Sequence, residues 1–211
     1  SLNSLDLDYE IIIVDDNSQD QTATIAKEFA AQHEEIHFVQ HAINHGPGGA
    51  FRTGIKHARK NYVIFAPFDN PLDREDVEAY LPCMDVCDIV VGTRVERVGY
   101  TWFMKFSSFF YNRIIVPILF NIGISDVNWI QAYRRSLFED KIIEFRNSRI
   151  FFLVEILVQA RRKKLIITEV PSRMKKRLYG GPTCAKFSVI CATLLDALRF
   201  FLELRLEDMK K

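Results

Sequence analysis

Three groups of polar residues in this chain have types and spacings that could do chemistry. Asp15 and Asp16 follow the apolar run Ile11-Ile12-Ile13-Val14. Adjacent carboxylates at a strand end can accept hydrogen bonds from a base or a ribose. They also serve as turn and helix-cap residues. Gly46-Pro47-Gly48-Gly49-Ala50-Phe51-Arg52-Thr53-Gly54 is a glycine-rich segment. Glycines let backbone approach a ligand closely, and a helix start favours anions. The segment does not match the G-x-x-x-x-G-K-[ST] phosphate loop. Asp69 follows the hydrophobic run Tyr62-Val63-Ile64-Phe65-Ala66. A carboxylate there can ligate a divalent cation that bridges two phosphates, or cap the turn at Pro71.

These positions need an α/β sheet to bring them together. Tyr9 to Val14 reads as a buried parallel strand, and Thr22 to Ala31 has helical spacing. Ile36 to Val39, Tyr62 to Ala66 and Asp88 to Gly92 read as further strands. The glycine-rich segment reads as a loop, with a helix after it running through Arg52 and Ile55 to Ala58. Glu75 to Leu81 reads as another helix. This alternation predicts a mostly parallel sheet, whose ligands bind beyond the carboxyl ends of the strands. The second half is less regular. Trp102 to Phe120 is a long aromatic-rich helical stretch with Pro117 as its expected break. Trp129 to Tyr133 and Leu165 to Val170 read as strands, and Ile150 to Arg161 as a helix. Phe187 to Leu206 is an amphipathic helix with a wide apolar face. On it Asp196, Arg199 and Glu203 share the polar face by their spacing.

The chain has 211 residues, 48% hydrophobic and 26% charged, with a net charge of +1. It is too apolar for a disordered tail and too charged for a membrane bundle. A near-zero net charge argues against a generic nucleic-acid binder. The average hides a gradient. Residues 1–40 hold nine acids against Lys27 alone, and residues 161–186 hold nine bases against Glu169 alone. Such a chain can carry a strong local anion site, although solvated faces would give the same counts. Cys83, Cys87, Cys184 and Cys191 show no metal or redox spacing. The most apolar stretch, residues 106–124, is interrupted by Asn112, Arg113, Pro117 and Asn121 and falls short of a membrane span.

Taken together, the motifs resemble the family 2 glycosyltransferases. Val14-Asp15-Asp16-Asn17-Ser18-Gln19-Asp20-Gln21-Thr22 is similar to V-D-D-x-S-x-D-x-T. Asn44 to Gly54 is similar to N-x-G-x-G-x-A-x-R-x-G, and Val90-Val91-Gly92-Thr93-Arg94 to V-x-G-[ST]-R. Ala132-Tyr133-Arg134-Arg135, Glu169-Val170-Pro171 and Arg177-Leu178-Tyr179-Gly180 match later landmarks. The order resembles the branch of dolichyl-phosphate mannose synthases and related polyprenyl-phosphate hexosyltransferases.

The resemblance implies a GT-A (Rossmann-like) nucleotide-binding sandwich over residues 1–186, with residues 187–211 as a C-terminal amphipathic helix. The implied reaction is inverting hexose transfer from a nucleotide sugar, of GDP-mannose or UDP-glucose type, to a polyprenyl phosphate. It also implies Mg²⁺ or Mn²⁺, peripheral membrane association and a place at the cytoplasmic face of a membrane. Asp15 or Asp16 would recognise the nucleoside, with Ser18, Gly48 and Arg52 beside it. Asp69 would ligate the metal. Arg94 and Arg177 would neutralise phosphates, with Lys175, Lys176 and Lys186 widening the field. Trp129, Gln131 and Lys175 are candidates for contact with sugar or acceptor, and Asp126 is the candidate base for an acceptor that needs one.

The chain departs from the family pattern in three places. The family's first strand, which precedes V-D-D, is absent, so the domain is expected to be truncated and its sheet to lack a central member. Pro67 stands where the family's D-x-D has its first carboxylate, with Asp69 at the second and Asn70 or Asp73 as possible compensation. Asp126 to Ala132 is one residue shorter than the family's D-x-x-x-G-F-[RK], with Gln131 where a base is usual. Two other functions follow from these departures: a noncatalytic nucleotide-sugar binder, or a transferase acting on a glycan or small acceptor.

Overall fold

The computed structural model describes residues 7–67, 72, 74–174 and 187–210. The elements run β1 (Ile11–Asp15), α1 (Thr22–Gln32), β2 (Ile36–Gln40), α2 (Gly46–His57), β3 (Tyr62–Phe65), α3 (Arg74–Met84), β4 (Ile89–Arg94) and α4 (Trp102–Phe110). After a π-helical turn (Tyr111–Ile115) come α5 (Val116–Phe120), β5 (Gln131–Arg134), α6 (Ser136–Glu139), α7 (Phe152–Arg162), β6 (Ile167–Ser172) and α8 (Phe187–Met209).

β-Branched runs make the strands. β1 and β2 pair in parallel, with Ile11 opposite Ile36 and Asp15 opposite Gln40. The other strands form one sheet in the order β3-β5-β4-β6. β4 and β6 are parallel, and β5 runs antiparallel to both β3 and β4. β5 is thus the one reversed strand of this sheet. β6 is an edge strand, which lets it hold Pro171 without losing a ladder hydrogen bond. Among the described residues no strand pairing joins the two ladders. They approach at the starts of β1 and β3, where Glu10 Oε1 accepts from the amides of Arg59 (2.6 Å) and Lys60 (3.0 Å).

Phe51 of α2 is the centre of the main core. Its ring lies 5.3–6.0 Å from the rings of Phe65, Tyr133, Phe138, Phe145 and Phe152. α7 presents Phe152, Leu153, Ile156 and Leu157 to the same cluster, all fully buried or nearly so. Val154, Glu155 and Val158 are buried as well, so α7 is enclosed on all sides rather than along one face. A second cluster around Tyr80, Met84, Val90 and Ile130 packs α3 onto the other side of the sheet.

The elements differ from the sequence expectation in three ways. α2 begins at Gly46, so the glycines form its first turn rather than a preceding loop. Pro47 suits that turn because the first helical amides have no intrahelical acceptor. The break in the 102–120 stretch lies ahead of Pro117. The Val116 amide reaches back five residues to the Tyr111 carbonyl. The side chain of buried Asn112 braces this turn, donating to Ser108 O (2.7 Å) and accepting from Val127 N (2.9 Å). Finally, Asp196 does not share a solvated face with Arg199 and Glu203. It is buried, because Arg149 grips its carboxylate with two donors.

Candidate functional site

β1 ends on Asp15, whose residue is buried. Asn17 then takes φ 64°, a left-handed conformation that asparagine tolerates, and turns the chain toward α1. Asp20 Oδ1 accepts from the Thr22 amide at 2.9 Å and starts that helix. Asp15 Oδ2 accepts from the Ser18 amide and from Gln40 Nε2, both at 3.3 Å. Its Oδ1 is buried and has no partner among the described residues.

Asp16 is differently engaged. Its Oδ1 lies 2.7 Å from His41 Nδ1 and accepts from the His45 amide at 2.8 Å. The other nitrogen of His41 is 2.8 Å from Thr53 Oγ1 on α2. Burial alone would raise the Asp16 pKa, but the bonds from His41, His45 and Gly46 outweigh it and hold the carboxyl below its usual range. Asp16 therefore ties β1 to the start of α2.

Gly48 and Arg52 meet protein partners. The Gly48 amide donates to Ser148 O at 2.8 Å. A Cβ on Gly48 would collide with the Asn147 carbonyl, and one on Gly46 with the Ser148 carbonyl. Arg52 donates to Asn147 O at 3.1 Å and to Phe145 O at 3.5 Å. The 145–148 loop is fixed from behind by buried Glu155, which accepts from the amides of Arg146 (3.0 Å) and Asn147 (2.9 Å). Burial raises the Glu155 pKa, an effect that these two bonds only partly offset. The glycines thus allow a close approach of backbone to backbone. Glu155 and Arg149, which complete this clamp, carried no motif that could have singled them out.

At the end of β4 stands a second cluster. Arg94 is 6% exposed in its side chain and Asp126 fully buried. Arg94 Nε and Nη2 each donate to one Asp126 oxygen at 2.6 Å, and Nη1 donates to Tyr100 Oη at 2.7 Å. The guanidinium also lies 4.6 Å from the centre of the Trp129 ring. Burial would lower the Arg94 pKa, but the Asp126 carboxylate raises it. Arg97, which sequence reasoning did not single out, donates to Asp126 Oδ2 at 3.2 Å and to Ser108 Oγ at 2.6 Å. Two guanidinium groups on one carboxylate leave a surplus positive charge. It borders an open groove of about 480 Å³ lined by Arg94, Val95, Glu96, Arg97, Val98 and Lys105.

Trp129 and Gln131 lie inside. Trp129 Nε1 donates to Ser172 Oγ at 2.8 Å, and Ser172 donates to Asp76 at 2.9 Å. Gln131 donates to Val127 O at 2.8 Å and accepts from Tyr133 Oη at 2.7 Å. Asp69, Lys175, Lys176, Arg177 and Lys186 lie outside the described residues. Among the described residues no group of three His, Cys, Asp or Glu side chains could hold a metal ion. These residues alone do not fit a metal site. No described helix is long and apolar enough to cross a membrane.

Known proteins resemble this chain in sequence and in fold. The sequence profile of Glycosyl transferase family 2 matches residues 1–141. A dolichyl-phosphate beta-glucosyltransferase of Saccharomyces cerevisiae is 28% identical over 187 residues, covering 77% of this chain and 56% of that protein. One of Trichomonas vaginalis is 27% identical over 179 residues, covering 77% of this chain and 52% of its own length. The chain thus spans about half the length of these curated relatives. Among solved structures, S. aureus TarS in complex with UDP-GlcNAc superposes with a TM-score of 0.58 at 18% identity, covering 95% of this chain and 60% of that one. Glucosyl-3-phosphoglycerate synthase of Mycobacterium tuberculosis, in complex with Mn²⁺, UDP and phosphoglyceric acid, gives 0.62 at 15% identity, covering 89% and 67%. The ordered motifs, the α/β sheet with its acidic strand end, and the profile match over most of the chain lead to one assignment: this chain belongs to glycosyl transferase family 2.

Proposed function

We propose that the protein of which this chain forms part transfers a hexose, with inversion, from a nucleoside diphosphate sugar to a polyprenyl phosphate. The observation that carries this reading is the state of Asp126. Both its oxygens accept from guanidinium groups, and the side chain is fully buried. It is not placed to take a proton from an acceptor hydroxyl. A phosphate monoester is already anionic near neutral pH, so its oxygen can attack the anomeric carbon without a base. The sugar–phosphate bond then breaks and the nucleoside diphosphate departs.

In this reading the free Oδ1 of Asp15 accepts a hydrogen bond from the donor's base or ribose. The positive groove by Arg97 and Lys105 attracts the acceptor phosphate. Arg177 and Lys175 act on the leaving diphosphate, and Arg94 shapes the site through Asp126. Mg²⁺ or Mn²⁺ would belong to the donor diphosphate, with Asp69 as its candidate protein ligand. The two curated relatives are named as glucosyltransferases, which favours glucose over mannose as the hexose transferred.

The test is to incubate the full-length protein with radiolabelled UDP-glucose or GDP-mannose, Mn²⁺ and a polyprenyl phosphate. Label in the lipid phase is the expected result. Pro67, in place of an expected carboxylate, favours a second reading as a noncatalytic nucleotide-sugar binder. Donor binding without turnover in the same assay would establish that reading instead. Transfer only to soluble sugars would overturn both.

A further inference from the structure

Arg94 and Arg97 both reach Asp126, but the site treats them differently. The Arg94 side chain is 6% exposed and that of Arg97 22%. Arg94 holds both carboxylate oxygens, whereas Arg97 touches Oδ2 through one nitrogen at 3.2 Å. The two guanidinium groups are chemically identical, so their surroundings must sort them. The backbone alone cannot do this. Glu169 Oε2 accepts from Thr93 Oγ1 at 2.9 Å and from the Ser125 amide at 2.8 Å. It thereby fixes the residues just before Arg94 and Asp126, but the long arginine side chains keep their own torsions. Tyr100 lies between the two arginines. Its ring centre is 5.6 Å from the Arg94 guanidinium carbon and 5.8 Å from that of Arg97. The Trp129 ring is different, for among the described residues it meets the Arg94 guanidinium alone, at 4.6 Å.

Trp129 is itself held in place. Its indole nitrogen can only donate, and it donates to Ser172 Oγ at 2.8 Å. That leaves the Ser172 proton for Asp76 Oδ1, at 2.9 Å. All three residues are buried, so this line of bonds runs through the interior from the indole to α3. Ser172 stands opposite Arg94 in the ladder of β4 and β6. Gly92, two residues before Arg94, leaves room for the arrangement. A Cβ there would overlap Tyr80 Oη, and would stand 3.0 Å from Trp129 Cδ1 and 3.1 Å from Ser172 Cβ. Any side chain at position 92 would push the indole away from the plane that it presents to Arg94.

We infer that Trp129, tethered through Ser172 to Asp76, is a positioning residue that keeps Arg94 on Asp126 and leaves Arg97 as the guanidinium offered to the groove. A guanidinium can pair with a carboxylate in its own plane and stack on an aromatic face at the same time. Arg94 does both. An exchange of the two arginines on Asp126 would forfeit the stacked contact. The purpose of this sorting rests on the proposed transfer reaction, in which the groove beside Arg97 receives the acceptor phosphate.

The test reads Arg94 directly. In the proton–nitrogen spectrum of the ¹⁵N-labelled chain, Arg94 Nε–H is bonded and enclosed, so it should give a slowly exchanging resonance displaced by the indole ring current. Its absence from Arg94→Lys identifies it. Ser172→Ala removes the tether and Trp129→Leu removes the ring. Each should return the resonance toward the ordinary arginine position and speed its exchange with solvent by about tenfold, the scale of one lost hydrogen bond. Trp129→Phe, which keeps a ring face without the donor, should fall between wild type and Trp129→Leu. It also carries the test should Trp129→Leu fail to fold, as judged by far-ultraviolet circular dichroism. In the transfer assay, Ser172→Ala should raise KM for the polyprenyl phosphate by about tenfold and KM for the nucleotide sugar by less than about twofold. An Arg94 resonance unmoved in the folded Ser172→Ala and Trp129 variants would overturn the inference. So would an equal rise in both KM values, the mark of a general loss of structure. If wild type transfers no hexose, the proposed reaction falls, and the Arg94 spectra still decide whether Trp129 positions it.

Discussion

The Arg94 guanidinium holds both oxygens of Asp126 at 2.6 Å in an arrangement closed to solvent. Removing Arg94 leaves the buried Asp126 carboxylate with only the longer contact from Arg97, at 3.2 Å, and strips Oδ1 of its partner. Arg94→Ala should therefore lower unfolding stability by about 3–5 kcal/mol, read from the urea midpoint at constant m-value. Arg94→Lys should recover only part of this, because an ammonium cannot bridge both oxygens through a planar fork. A loss below about 1 kcal/mol would mean that the pair behaves as a surface contact.

Asp15 is buried and its Oδ1 has no partner among the described residues, whereas Asp16 Oδ1 is tied to His41 and His45. Asp15→Ala should weaken donor-nucleotide binding by about tenfold, the scale of one lost hydrogen bond to a charged group. Isothermal titration with UDP and with GDP measures this and shows which base the site prefers. If Asp16→Ala has the larger effect in a folded protein, the roles of the two carboxylates are exchanged.

Gly48→Ala and Gly54→Ala separate close approach from simple helix propensity. At Gly48 the new Cβ meets the Asn147 carbonyl, which Glu155 prevents from moving aside. At Gly54 the nearest atom is Val14 Cγ2 at 3.9 Å, an ordinary contact. Gly48→Ala should lower the melting temperature and reduce nucleotide binding. Gly54→Ala, inside α2, should be neutral or stabilise by about 0.5–1 kcal/mol.

The Asp16–His41 contact predicts a pH dependence. The Asp16 carboxyl in the folded protein ionises at a lower pH than in the unfolded chain. Its contribution is therefore complete above the ordinary carboxylate pKa, and is lost as pH falls through that value toward the lower folded one. Urea titrations from neutral pH down to the acid range should show wild type losing stability over this window. Asp16→Asn should lose less, and an equal slope in the two proteins would refute the assignment.

Much of the sheet was legible in the sequence because its strands are β-branched runs of period and length suited to burial. That Phe152, Ile156 and Val158 of α7 are core residues was legible in the sequence, but that the helix is buried on every side was not. The π turn was not, because it depends on the Asn112 side chain reaching Val127. The inward position of Asp196 was hidden for a similar reason: its partner, Arg149, lies 47 residues away. At the site, motif positions located Asp15, Asp16, Arg94 and Asp126. Motifs alone could not show that Arg94 faces Asp126, or that Gly48 and Arg52 face the 145–148 loop. Those relations belong to residues that only the folded chain brings together.

The bond from the Gly48 amide to Ser148 O joins positions 100 residues apart. Bringing such distant segments together carries a large loop-closure entropy, which local propensity cannot offset. The first turn of α2 therefore acquires its shape only when most of the polypeptide has already condensed. Its amide protons should exchange with solvent through global unfolding, at the same rate as those of α7. The acidic strand end of β1 is held by Gln40, His41 and His45, only 25–29 residues away, and can close over this shorter loop first. One rim of the candidate nucleotide pocket is thus a late, collective product of folding, and the other is a local one.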